Sequence, residues 1–141
     1  MRSKDAIRRS VWTAMEREGV ARFPGARERI PNFANARAAG ERLSRSAAWK
    51  KAKTIKANPD APQTHSRRLA LEQGKMLVMA VPRLRDSHPF RLLDPSKLTE
   101  EQIREAATIK GALRHGEVID VDQVPKLGFR IKVKTVVTGN Q

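Results

Sequence analysis

Apolar residues recur every four positions at Ile7, Val11 and Met15, with Ala6 and Ala14 beside them, and this stripe predicts an amphipathic helix over residues 2–18 that stops at Gly19. Residues 22–33 carry Pro24, Gly25 and Pro31 without a sustained period and predict an irregular connection. Asn35 or Asn32 can cap the next helix, through Leu43, whose Ala36, Ala39, Gly40 and Leu43 form a small-residue face suited to close packing. Lys53-Thr54-Ile55-Lys56-Ala57 alternates polar and apolar and predicts a short strand entering the Asn58-Pro59-Asp60 turn. A helix from His65 to Gln73 ends at Gly74, and the unbroken apolar run from Met76 to Val81, closed by Pro82, predicts a central strand buried on both faces. Thr99 followed by Glu100, Glu101 and Gln102 is a capping box with acidic residues at the positive end of the helix dipole, and that helix is expected to run to about Gly116. Val118-Ile119 and the segment from Ile131 to Val137 are further strand candidates. Strands alternating with helices predict an α/β domain with a mainly parallel sheet.

The chain has 141 residues and 39% hydrophobic content, enough for one domain, 1–141, with a real core. It has no cysteine, which excludes disulfides, thiolate metal sites and cysteine nucleophiles. No apolar run approaches the length of a membrane span, and the charged start Met1-Arg2-Ser3-Lys4-Asp5 is unlike a signal core, so a cytoplasmic protein that meets no membrane is expected. The net charge is +14, but residues 1–58 hold 15 basic and 5 acidic side chains while residues 99–141 hold 7 and 6. A basic first part attracts polyanions such as nucleotides or RNA without choosing among them.

Candidate chemistry is sparse. His65, His88 and His115 have no metal-ligand spacing, Ser66 lacks the setting of a nucleophile elbow, and the glycines form no Walker-type loop, so no metal ligand or catalytic residue is identified. Lys4 and Arg8 project one turn apart from the first helix, with Trp12 on the same line, as either a solvated basic face or a pair for phosphate oxygens. Asn32 can hydrogen-bond a ligand through its amide and Phe33 can supply an apolar wall, or they can cap a helix and join the core. Arg83 follows the most apolar strand, where ligands of open α/β sheets bind, and can take an anionic substrate group or stay solvated.

Taken together, Arg29-Ile30-Pro31-Asn32-Phe33, the Pro59-Asp60 turn and Pro82-Arg83-Leu84-Arg85 resemble the 5-formyltetrahydrofolate cyclo-ligase superfamily, in its methenyltetrahydrofolate synthetase domain-like branch. The resemblance implies a three-layer α/β/α fold and an ATP- and magnesium-dependent conversion of 5-formyltetrahydrofolate to 5,10-methenyltetrahydrofolate. It implies that Lys4 and Arg8 match a pair facing the nucleotide phosphates, and that Asn32, Phe33 and Arg83 lie toward a folate-type substrate. The family's glycine-rich nucleotide loop and acidic metal ligand would follow Gly139, so the chain is expected to hold an incomplete domain without turnover of its own. A shortened chain, a frameshifted product, half of a split protein and a degraded paralogue all fit. The rival reading is a noncatalytic basic module for RNA or another polyanion, although aromatic content is 4% and no RNA-recognition motif is present.

Overall fold

The computed structural model describes residues 1–81 and 88–127. Six α-helices and four strands follow one another as α1 (Lys4–Arg17), α2 (Ala36–Ser44), α3 (Ala47–Lys51), β1 (Thr54–Ala57), α4 (Thr64–Glu72), β2 (Met76–Ala80), β3 (Phe90–Leu93), α5 (Glu100–Ala106), α6 (Ile109–His115) and β4 (Glu117–Ile119), with short 3-10 turns between some of them. The strands form one sheet in the order β1-β2-β3-β4. The α/β class holds, and β2 is a central strand whose Leu77, Val78 and Met79 are fully buried.

The sheet is mixed rather than mainly parallel. β1 and β2 pair in parallel, whereas β2–β3 and β3–β4 pair antiparallel. Connection length explains the difference. A parallel return needs a crossover of about a dozen residues or more, which α4 supplies between β1 and β2. Only residues 81–89 join β2 to β3, so the chain turns back beside itself.

Ile55, Leu77 and Leu93 align across the first three strands, as do Ala57 and Met79 across the first two, so these side chains share a sheet face. They form the core with Trp49 of α3, Ala70 and Leu71 of α4, Ala106 of α5 and Ala112 of α6. Val78 points to the opposite face and is also fully buried, so β2 is covered from both sides. Trp49 brings a polar atom into this core, and its indole N–H donates to Gln73 Oε1 at 2.8 Å. Helix α3 escapes the apolar pattern because it is five residues long; its local signal is Ser46, whose hydroxyl accepts from the Trp49 N–H.

The expected helix from Thr99 to Gly116 is two helices. The Thr99–Gln102 capping box forms at the start of α5, but the chain breaks at Ala107, and Thr108 caps α6 by accepting from the Gly111 N–H at 3.0 Å. A tertiary contact holds the break open. The buried Arg67 of α4 donates through Nε to the Ala107 carbonyl at 2.8 Å, and Gly111 packs so closely that an added Cβ would lie 1.8 Å from the Glu105 carbonyl oxygen. Helix α1 starts at Ser3, whose hydroxyl accepts from the Ala6 N–H, and none of its residues is buried. The strand candidate from Ile131 to Val137 and the site candidate Arg83 lie outside the described residues.

Candidate functional site

The irregular segment after α1 is pinned as a small antiparallel bridge. Ala21 pairs with Phe33, the Arg22 N–H donates to the Asn32 carbonyl at 2.9 Å, and the Ala34 N–H donates to the Val20 carbonyl at 2.8 Å. Asn32 does not cap α2; its side-chain oxygen accepts from the Phe33 N–H at 3.0 Å. Asn35 occupies the cap position with a left-handed backbone, φ 68°, and its side chain makes no capping hydrogen bond. The segment therefore delivers Asn32, Phe33 and Asn35 together to the beginning of α2.

Helix α2 meets α4 at Gly40, while Ala39 of the expected small face is exposed. A Cβ on Gly40 would sit 2.9 Å from Ser66 Oγ and 3.3 Å from the His65 ring, so only glycine permits this approach without a shift. Between the starts of the two helices and the pinned segment lies a broad cavity of about 620 Å³ that is open to the surface. Asn32 and Phe33 form one wall, Pro62 and Thr64 another, and Arg22, Arg37, His65 and Arg68 bring nitrogen donors; no carboxylate lines it among the described residues. The Arg68 Nε and His65 Nε2 atoms are buried without a hydrogen-bond partner.

Arg8 belongs to a separate hollow of about 250 Å³ lined with Arg9, Trp12, Asp5 and Glu28. Its guanidinium is 2.7 Å from Asp5, so the two cations of that hollow face two carboxylates. Lys4 is exposed at the first position of α1 and lines neither space. The structure thus brings Asn32 and Phe33 together and sets Lys4 and Arg8 apart from them.

Arg67 is the residue that pattern reading missed most clearly. It is 2% exposed, and its guanidinium donates to the carbonyls of Ala107, Asn58 and Asp60 at 2.8, 2.7 and 2.8 Å and to Thr64 Oγ1 at 3.1 Å. Burial lowers its pKa to about 10, partly offset by the Asp60 charge, which still leaves it cationic at neutral pH. One side chain thereby ties the Asn58-Pro59-Asp60 turn, α4 and the α5–α6 break into one unit, while its neighbours His65 and Arg68 line the cavity. The available signal was the spacing of His65 and Arg68, three apart on one helix face with Arg67 off it.

The sequence model of the 5-formyltetrahydrofolate cyclo-ligase family matches residues 1–132. The chain belongs to that family. Among relatives of this cyclo-ligase-family chain, methenyltetrahydrofolate synthase domain-containing proteins are 37% identical over 139 residues in Bos taurus, 38% over 121 residues in Mus musculus and 30% over 139 residues in Homo sapiens. These matches cover 98%, 85% and 98% of this chain and 35%, 32% and 35% of the relatives, so the chain spans about a third of the length of the curated proteins it matches. No solved structure matches it.

Proposed function

We propose that the chain belongs to a cyclo-ligase-like domain that binds a folate-type substrate and takes part in the ATP-dependent conversion of 5-formyltetrahydrofolate to 5,10-methenyltetrahydrofolate. The carrying observation is the cavity that joins Asn32 and Phe33, two neighbours in sequence, to the beginnings of α2 and α4 in a chain matched to this family over residues 1–132. In this reading Phe33 supplies an apolar wall for a flat heterocycle and Asn32 an amide that can donate and accept at the ring edge. Lys4 and Arg8 fit a nucleotide's phosphates in part: both heads are exposed one turn apart, but Arg8 must leave Asp5 to take a phosphate oxygen. ATP supplies the phosphoryl group that activates the formyl oxygen, and the chain's own share is to orient the substrate and neutralise charge. Magnesium accompanies ATP in this family reading. Among the described residues no group of three or more His, Cys, Asp or Glu side chains fits a metal ion, so no step here is routed through one.

Titration of the chain with 5-formyltetrahydrofolate, followed by tryptophan fluorescence or calorimetry, tests the reading. Saturable binding that weakens about tenfold in Phe33→Ala is expected, since burial of an aromatic face contributes roughly 1.5–3 kcal/mol. Absence of binding, or unchanged affinity in both Phe33→Ala and Asn32→Ala, removes this cavity from the substrate site.

A second reading, noncatalytic binding of RNA or another polyanion, is favoured by one feature. Helix α1 buries none of its residues and lines a shallow groove with Arg2, Arg9 and Arg17 beside Ser10 and Thr13. Such binding should fall steeply with salt and ignore sequence, because it arises from counterion release.

A further inference from the structure

We propose that the cavity between α2 and α4 is an oxyanion site in which Arg68, His65 and Arg37 hold a carboxylate or phosphate group of the ligand, and Glu41 competes with that group for two of them. The inference rests on the substrate reading of this cavity and adds the charge that its occupant carries.

Four observations converge on it. First, Arg68 Nε is a buried donor without a hydrogen-bond partner on the wall of the cavity, a costly arrangement unless something accepts from it, and beside it the buried His65 Nε2 has only Glu41 at 3.5 Å. Second, Arg22 and Arg37 add two guanidinium groups, while no carboxylate lines the space among the described residues. Third, two nine-residue helices, α2 and α4, both begin at this cavity, and neither carries an acidic residue in its first turn. The positive ends of both dipoles therefore face it without an internal counter-charge, unlike α1 with Asp5 and α5 with Glu100 and Glu101.

Fourth, Glu41, the carboxylate that reaches Arg37 and His65, makes only long contacts. Glu41 Oε1 stands 3.4 Å from Arg37 Nε and 3.5 Å from His65 Nε2, and its side chain is 42% exposed. A carboxylate so placed screens the donors weakly and can swing into solvent when a better-placed anion arrives. The α1 hollow differs on this point, because Arg8 already has Asp5 at 2.7 Å.

The test uses the whole chain with inorganic phosphate and glutarate as probes, titrated by calorimetry or by amide chemical shifts, with sodium chloride at matched ionic strength as the control for bulk charge. One of the two anions should saturate a single site, and the preferred one tells whether a phosphoryl or a carboxylate group is the natural occupant. Arg68→Gln should weaken that binding about tenfold, the loss expected for one hydrogen bond to a charged group. Arg37→Gln should weaken it by a smaller factor, and because the Arg37 side chain is 78% exposed this variant keeps its fold even where Arg68→Gln does not. Glu41→Gln should strengthen it about threefold by removing the competitor. Neither anion saturating a site, equal affinity in Arg37→Gln and Arg68→Gln, or weaker binding in Glu41→Gln would overturn the proposal. If the anions bind as stated and 5-formyltetrahydrofolate does not compete with them, the folate reading fails and the oxyanion site stands. If 5-formyltetrahydrofolate binds while neither anion binds or competes, the reverse holds.

Discussion

Helix α1 and the α2–α4 pair are both rich in arginine, yet they hold that charge in opposite ways. On α1 the guanidinium of Arg8 leans on Asp5 in the open, and the apolar stripe meets little: Ile7 is 49% exposed and Val11 50%. Across the α2–α4 contact, Gly40 brings the two backbones together, Arg67 is sealed inside on carbonyl oxygens, and Arg68 keeps a buried Nε without a hydrogen-bond partner beside a cavity. A charge that already has a solvated partner has little left to give a ligand. One held by the fold and left without an acceptor is prepared for one, because the cost of desolvation has been met by folding.

The sharpest way to break this comparison is to cut the element that makes the second region rigid. Arg67→Met should lower stability by roughly 3 kcal/mol or more, because three carbonyls lose their donor in the interior, and a denaturant melt reads it. Arg67→Lys keeps the charge but not the fork of donors, and should recover only part of that loss. A cost below about 1 kcal/mol for Arg67→Met would mean that the turn, α4 and the α5–α6 break hold together without it.

Gly40→Val attacks the contact itself. Its side chain would collide with Ser66 and His65, and overpacking of this kind costs about 1–3 kcal/mol, so a lower melting midpoint is expected together with altered anion binding. Unchanged affinity in a folded Gly40→Val chain would separate the cavity from the helix contact. On α1, by contrast, Lys4→Ala, Arg8→Ala and the double change Ile7→Ala with Val11→Ala should each move stability by no more than about 0.5 kcal/mol, as exposed positions do. A larger loss on diluting protein carrying the double change would show that the α1 stripe is covered by another surface in solution.

The smallest effect lies outside both regions and comes from acid. The His115 ring, hydrogen-bonded at 2.9 Å, holds the Glu105 carboxyl below the usual carboxylate range, and the Ser96 hydroxyl and N–H do the same for Asp94. A carboxyl whose pKa is lower in the folded state stabilises the fold above its unfolded pKa and loses that contribution as pH falls through the folded value. Melting midpoints should therefore hold between pH 7 and pH 5 as far as these two groups are concerned, and decline below about pH 4. Glu105→Gln should flatten the decline, and an unchanged slope would assign it to other carboxylates.

Pattern reading located α1, α2, α4, β1, β2 and β4 because their signals are local: four-residue spacing, a short alternation before Pro59, an apolar run before Pro82. Family membership was legible as well, in Arg29-Ile30-Pro31-Asn32-Phe33 and its companions, and the family match over residues 1–132 agrees. Asn32 and Phe33 are neighbours in sequence and do share a cavity, whereas no sequence signal brings Arg37 together with His65 and Arg68 there, since no spacing relates a residue at 37 to residues at 65 and 68.

Sequence by itself thus determined α1, α2, α4, β1, β2 and β4 and which family the chain belongs to, because periodicity, caps and short motifs act between residues a few positions apart, whereas α3 and β3 carry no such periodicity. Tertiary structure alone decided that the sheet is mixed, that the helix after Thr99 breaks at Ala107, and that α2 and α4 turn their beginnings toward one space. Each of those depends on a contact between distant positions: β2 with β3, Arg67 with the Ala107 carbonyl 40 residues on, Gly40 with Ser66. The physical reason is that the hydrogen bonds and close packing that select among these arrangements exist only once the chain has folded back on itself.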